Sequence, residues 1–381
     1  MQYFFGLFIL KTDVGRLTFT WFGERVTEVL QNTDAGTRFV FGENYVLHPI
    51  AFKAFPVMIF VSSILSVLYY LGIMQKLINS FGRMLGFFMV TTPAESICAS
   101  GSIFLGVGEV LLLVKPFVAD MTVSEIAAVI TSSLSTMMGS ILAVCISLGI
   151  PARHIIAASV MSAPAALVIS KLSLPETEKT KATDEYYTVK SVGTEKNIVE
   201  ALTSGATASI SLIANIIVTI ISFLAVIEFV NSCLLWAGHR VGVEGLTFEL
   251  VCSYLLFPAA FLMGVDTHDC KRVAELLGIK LFTLSMNAYI KMIPLLNNRK
   301  ERTDVIATYA LCGFSNFGTL GSALALMSAM APRRTGDIAS VGLRCIWASN
   351  VACIVTACIA GKLVFFNSVI FRKLSCVVLV I

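Results

Sequence analysis

The chain has 381 residues, 56% of them hydrophobic and 14% charged, with a net charge of +4 and a mean hydropathy of +0.84. A soluble chain carries about 25% charged residues, so the apolar excess must face lipid. That excludes a soluble enzyme, a nucleic-acid binder and a disordered scaffold. It makes the chain an all-α polytopic membrane protein whose small positive charge belongs to its loops.

In chain order, Met1 to Leu10 is too short to cross a bilayer, and with no basic leader it is not read as a cleavable signal peptide. Arg16 to Asn32 sets Leu17, Trp21, Val26 and Val29 near one side, which predicts an amphipathic helix lying on the membrane. The charge-free run Ala54 to Gln75 exceeds the roughly 20 residues that a helix needs to cross hydrocarbon. Residues 84–118 divide at Gly106-Val107-Gly108-Glu109 into two pieces too short to cross, the pattern of a re-entrant hairpin. Ile126 to Ala152 is a span, and the shorter run Ile155 to Ser170 is another if His154 and Lys171 reach back to water. Leu172 to Lys196 is a polar loop, and Ala201 to Ile227 a further span. Residues 249–292 divide near Gly264 and Asp266–Arg272, a second hairpin. Val305 to Pro332 and Cys345 to Gly361 complete six spans.

These elements group as a partial span, interfacial helix and scaffold span (1–83), a first hairpin with two spans (84–172), a loop and scaffold span (173–247), a second hairpin with two spans (248–363) and a divergent tail (364–381). Hairpin, span, span occurs twice. Duplicated units with interrupted helices mark secondary transporters, whose substrate site falls at the interruptions.

Glu109 lies between apolar residues. It is either a substrate or cation contact at a hairpin tip, or a surface residue in a loop that stays outside the bilayer. Leu311 to Gly321 carries three glycines with Asn316 and Thr319, which lowers helicity in mid-span. It reads either as an unwound binding segment or as a close-packing stripe. The hydroxyl-rich run Thr131 to Ser140 divides equally between sodium ligation and small-residue packing. Ser159, Ser162 and Pro164 read as packing or a kink, and the cysteines at 98, 145, 233, 252, 312, 345, 353 and 358 as small buried residues. There is no phosphate loop, and His48, His154, His239 and His268 are not paired at metal-ligand spacing, so no enzyme is expected.

The segments TDAGTRFVFGENY (33–45), LYYLGIMQ (68–75), PAESICASGSIFLG (93–106), ASVMSAPAA (158–166), PETEK (175–179), FLMGVDTHDC (261–270), AELLGIK (274–280), ATYALCGFSNFGTLG (307–321) and SAMAPRRTGDIAS (328–340) strongly resemble the concentrative nucleoside transporter family, animal members above all. The resemblance implies homotrimers in the plasma membrane, each subunit with scaffold and transport parts, two re-entrant helical hairpins and a broken transmembrane helix. It implies elevator-type uptake of nucleosides, or a related polar heterocyclic solute, coupled to Na⁺ or H⁺, with no cofactor and no nucleic acid.

Residue by residue, the resemblance carries Glu109 over unchanged. It sets Val107 and Gly108 where the family has a base-binding Gln and Thr, and Ser285 where it has a ribose-binding Glu. Asn316 is kept, Thr319 stands at a ribose-binding Ser, and Ile141 at an apolar base contact. Ser102, Leu105, Thr136 and Met137 stand at the sodium shell, with Ser102 replacing an Asn. The replacements lead us to expect altered specificity; the alternative expectation is a transport-inactive paralogue serving as a subunit of a trimeric transporter.

Overall fold

The computed structural model describes residues 2–43, 45, 50–180, 195–242, 245–293 and 301–365. The tail from residue 366, the middle of the polar loop (181–194) and His48 lie outside the described residues.

Eighteen α-helices follow one another, with no strand among the described residues. The first five are α1 (Gln2–Lys11), α2 (Asp13–Gln31), α3 (Thr33–Phe41), α4 (Phe55–Tyr70) and α5 (Ile73–Met89). The first repeat unit comprises α6 (Pro93–Gly101), α7 (Val107–Val114), α8 (Val123–Ser135), α9 (Gly139–Ser147) and α10 (Ala152–Ser173). Then come α11 (Ile198–Val241), α12 (Phe248–Leu255) and α13 (Phe257–Leu262). The second unit is α14 (Thr267–Phe282), α15 (Ser285–Met292), α16 (Glu301–Leu311), α17 (Phe317–Met330) and α18 (Thr335–Phe365).

Among the described residues, five stretches are long and apolar enough to cross a membrane: Ala51–Tyr70, Val123–Ser147, Ala152–Ser173, Ile198–Arg240 and Pro332–Val364. The expected span at Val305 to Pro332 is not one helix, since residues 312–316 separate α16 from α17. The expected span at Ile126 to Ala152 corresponds to Val123–Ser147, within which residues 136–138 separate α8 from α9. In the second hairpin region Gly264, with φ of +83°, closes the α13 end. The charged run that begins at Asp266 is the first turn of α14, with the Asp266 carboxylate accepting from His268 N. A further interruption, at Thr283–Leu284, was not expected; it carries neither Gly nor Pro.

α8 is the centre of the molecule. Every residue from Ser124 to Ser135 is buried, against α6, α10 and α18. α11 is its opposite. It packs chiefly on α4 and leaves Ile210, Val218, Ile221 and Phe229 more than half exposed. In an apolar solvent helices associate through close backbone approach. Gly205 provides it, since a Cβ there would meet Ser62 O at 2.5 Å and Ser66 Cβ at 2.6 Å. α2 keeps Leu17 and Trp21 exposed, and buries Gly15, Gly23 and Leu30.

The start of α6 and the start of α8 are tied together by charge. Glu95 and Glu125 sit in the first turns of α6 and α8, where a helix N-terminus favours an anion. Their carboxylates accept from Thr92 N (3.0 Å) and Thr122 N (2.8 Å). Lys171 joins Glu95 (2.6 Å) to Glu176 (3.1 Å), and Thr180 Oγ1 donates to Glu125 (2.7 Å). Burial alone would raise the Glu176 carboxyl, but hydrogen bonds from Thr122 and Lys171 hold it below the ordinary carboxylate value.

Two outcomes follow from this packing. Gly205→Leu should separate α11 from α4 and cost roughly 1–3 kcal/mol, read as a fall in the thermal unfolding midpoint in detergent. The stabilisation from Glu176 is complete above the ordinary carboxylate pKa and is lost as pH falls through its lowered folded value. Proteolysis between residues 174 and 180 should therefore accelerate on acidification, and Glu176→Gln should remove that acceleration.

Candidate functional site

The interruptions meet. The α6–α7 linker presents Phe104 O, which accepts from Gly139 N at 3.1 Å, at the start of α9. Three residues earlier, Thr136 O accepts from Phe314 N in the α16–α17 interruption (3.2 Å). Gly313 O in turn accepts from the Ser285 hydroxyl at the start of α15. All four interruptions are thus joined by hydrogen bonds to main-chain groups that no helix satisfies. Gly313 has φ of +122°, and a Cβ there would lie 2.7 Å from Ser135 O, so only glycine fits. α18 secures the same segment. Asn350 Nδ2 donates to Ser315 O (3.0 Å), its Oδ1 accepts from Ser315 Oγ (3.1 Å), and Cys353 Sγ donates to Cys312 O (2.9 Å).

Beside this junction lies a cavity of about 850 Å³, within the range of small-molecule sites. The interruptions form one side: Gly106, Val107, Gly108 and Glu109 from the α6–α7 linker and the start of α7, Met138 to Ile141 from α9 and the residue before it, and Leu284 and Met286 from the α14–α15 interruption and the start of α15. Phe314, Gly318 and Thr319 extend that side. α4 and α11 form the other, with Leu65, Tyr69, Asn215, Thr219 and Phe223.

Of the seven residues expected to contact substrate, Val107, Gly108, Glu109, Ile141 and Thr319 line the cavity. Glu109 is exposed to it. One carboxylate oxygen accepts from Gly106 N (3.0 Å), and Oε1 has no hydrogen bond among the described residues. Ser285 and Asn316 do not line it; both are fully buried. The Ser285 hydroxyl is committed to Gly313 O. Asn316 Oδ1 caps α17, accepting from Thr319 N (2.9 Å) and Thr319 Oγ1 (3.0 Å), so its amide sets the direction of the Thr319 hydroxyl.

Of the expected cation shell, Leu105 touches the cavity, while Ser102, Thr136 and Met137 are buried behind it. Ser102 Oγ donates to Ala99 O (2.9 Å). The hydroxyls of Ser132 and Ser140, on either side of the α8–α9 interruption, are buried without a partner. Sodium takes oxygen donors of this kind. The described residues hold no group of three His, Cys, Asp or Glu side chains suited to a metal ion.

The walls from α4 and α11 were missed in the sequence. Asn215 and Thr219, one helical turn apart within an otherwise apolar run, were the available signal. Tyr69 and Phe223 carried none.

Interrupted helices around a cavity, within a bundle of membrane-crossing length, define a multi-pass membrane protein. The family description "Na+ dependent nucleoside transporter C-terminus" matches residues 154–361, its N-terminal counterpart residues 1–44, and "Nucleoside recognition" residues 51–152. The chain belongs to the Na⁺-dependent nucleoside transporter family. It is 45% identical over 378 residues to "Solute carrier family 28 member 3" of Eptatretus stoutii and of Homo sapiens, and 41% identical to "Sodium/nucleoside cotransporter 1" of Mus musculus, in each case over 95% of this chain. It spans about half the length of these relatives: 55%, 55% and 58%. The solved structure of CNTnw in an inward-facing substrate-bound state shares the fold with a TM-score of 0.89 at 30% identity, covering 96% of this chain and 90% of that one. A doubly substituted CNTnw in an outward-facing state gives 0.90 with the same identity and coverage.

Asn316→Ala should remove the α17 cap and lower stability by about 1 kcal/mol, while Asn316→Asp, which keeps the acceptor, should lose much less. Chemical denaturation of the purified protein in detergent checks both.

Proposed function

We propose that this protein is a Na⁺-coupled nucleoside symporter of the plasma membrane; the name "Sodium/nucleoside cotransporter 1" describes such coupling for one relative. The observation that carries this is the cavity of about 850 Å³ between the two hairpin regions and α11, with the Glu109 carboxylate on its surface. In this reading α6–α7 and α14–α15 are re-entrant hairpins, and α8–α9 and α16–α17 are broken membrane helices. Such backbone is tolerated at membrane depth only where protein or a water-filled cavity surrounds it. Glu109 Oε1 accepts from hydroxyls of the sugar, and Ile141 and Val107 pack on the base. The Thr319 hydroxyl, held by Asn316, offers its remaining lone pair.

Sodium binds behind the tips, where main-chain oxygens at Ser102, Leu105, Thr136 and Met137 and hydroxyls at Ser102 and Thr136 surround it. Ion and cargo then order the same tips, which couples their binding. The exposed apolar face of α11 supports an assembly in which copies or lipid cover it. A homotrimer of units with moving transport parts and fixed scaffolds is the arrangement we favour. The altered specificity expected from Val107, Gly108 and Ser285 finds no support in the comparisons and forms no part of this reading.

Radiolabelled uridine and adenosine uptake in transfected cells, in sodium and in choline at two pH values, tests it. Uptake should require sodium. A charged hydrogen bond contributes ~1.5–3 kcal/mol, so Glu109→Gln should reduce apparent nucleoside affinity roughly 10- to 150-fold. Uptake that depends on pH alone would replace sodium by protons as the coupling ion. No uptake of either nucleoside at normal surface expression would overturn the reading.

A further inference from the structure

Lys280 is outside the cavity and is 1% exposed, among the largest fully buried side chains. Its ammonium donates to Ala310 O at 2.9 Å and pairs with no carboxylate among the described residues. A buried cation without a counter-ion is costly unless aligned dipoles stand in for one. Ala310 lies in the last turn of α16, where unpaired carbonyls concentrate partial negative charge. The same hairpin covers the neighbouring carbonyls: Tyr289 OH donates to Thr308 O (2.7 Å), and Ser285 Oγ to Gly313 O. The C-terminal end of α16, and the interruption that follows it, are therefore held by α14 and α15 through one cation and two hydroxyls.

The corresponding end of α8 is built differently. α6, the counterpart of α14 in the first unit, reads PAESICASG and has no basic residue. Around the α8–α9 interruption stand the buried, unpartnered hydroxyls of Ser132 and Ser140, and no lysine or arginine lies in α7, α8 or α9. One helix end has a cation built into it; at the other Phe314 N donates to Thr136 O and Cys353 Sγ to Ser135 O, with no cationic side chain from α7, α8 or α9.

We propose that Lys280 is a tethered cation, a positioning residue that holds the α16–α17 interruption in the role that a mobile cation serves at α8–α9. The comparison of the two ends rests on the sodium reading above. Its consequence is an asymmetry: removing the ion loosens the first interruption and leaves the second ordered.

Hydrogen exchange on the full chain in detergent, in sodium or choline, tests this with the natural protein, Lys280→Met and Lys280→Arg. In the natural protein choline should speed exchange at 136–139 by about 10-fold or more and leave 311–317 within about 2-fold. Lys280→Met should speed 311–317 by about 10-fold in either salt, and Lys280→Arg, which keeps the charge, should not. The proposal is overturned if choline loosens both interruptions alike, if Lys280→Met leaves 311–317 unchanged, or if the Met and Arg variants loosen it equally. If choline leaves 136–139 unchanged, the sodium reading fails at that site, and the Met-against-Arg contrast still decides whether the charge of Lys280 holds 311–317. Should Lys280→Met fail to fold, the salt comparison on the natural protein still decides against the proposal or for it.

Discussion

Four gaps in helical hydrogen bonding lie together inside a body that water does not fill, and each must be satisfied by another part of the chain. An unpaired amide or carbonyl in such surroundings costs roughly 2–7 kcal/mol. Phe104 O on Gly139 N, Thr136 O on Phe314 N and the Ser285 hydroxyl on Gly313 O answer three of these demands. Each bond joins elements far apart in the sequence. Separating two bonded tips would strand polar groups on both, so these bonds fix the shape of the cavity side that the tips form. Gly313 is what lets the two broken helices approach, because any side chain would collide with Ser135 O.

How much of this was readable from residues depends on whether the cause is local. The interruption at 312–316 advertised itself through Gly313, Gly318 and Gly321 around Asn316, all local weakeners of a helix. The one at 136–138 did not. Thr136, Met137 and Met138 are ordinary in a helix, and the gap exists because Phe104 O and Phe314 N take up the groups that the helix leaves free. Thr283–Leu284 has the same character. The acidic and basic residues after Asp266 looked like a loop but form a capped first turn, since a charged run and an N-terminal helical turn share a composition. Side-chain direction was less legible still. Ser285 and Asn316 are polar, central and adjacent to lining residues, yet both point into the junction and position others.

The cavity's two sides are held by different means. The tip side is a cross-linked junction. The α4–α11 side is a seam of small residues, with Gly205 against Ser62 and Ser66. At its far end Asn231 ties α11 to α12, accepting from Phe248 N at 2.7 Å. A wall attached by van der Waals approach and a junction attached by main-chain hydrogen bonds differ in how readily they shift. Sliding along the seam leaves no polar group unpaired, whereas opening the junction leaves several.

That difference explains why a cation would act at the junction. At α8–α9 the helix-end carbonyls of Ser135 and Thr136 accept from Cys353 Sγ and Phe314 N, neutral donors that bring no positive charge, so a cation there adds what the chain does not supply. At α16–α17 the Lys280 ammonium already sits against the last-turn carbonyl of Ala310. The two ends thus differ: at one the chain supplies the cation, and in the sodium reading the other takes its cation from solution. With Glu109 adding negative charge on the lining, an ion entering that place strengthens the side on which a polar solute must settle. The ion's binding energy is thereby linked to the solute's through the same set of main-chain bonds.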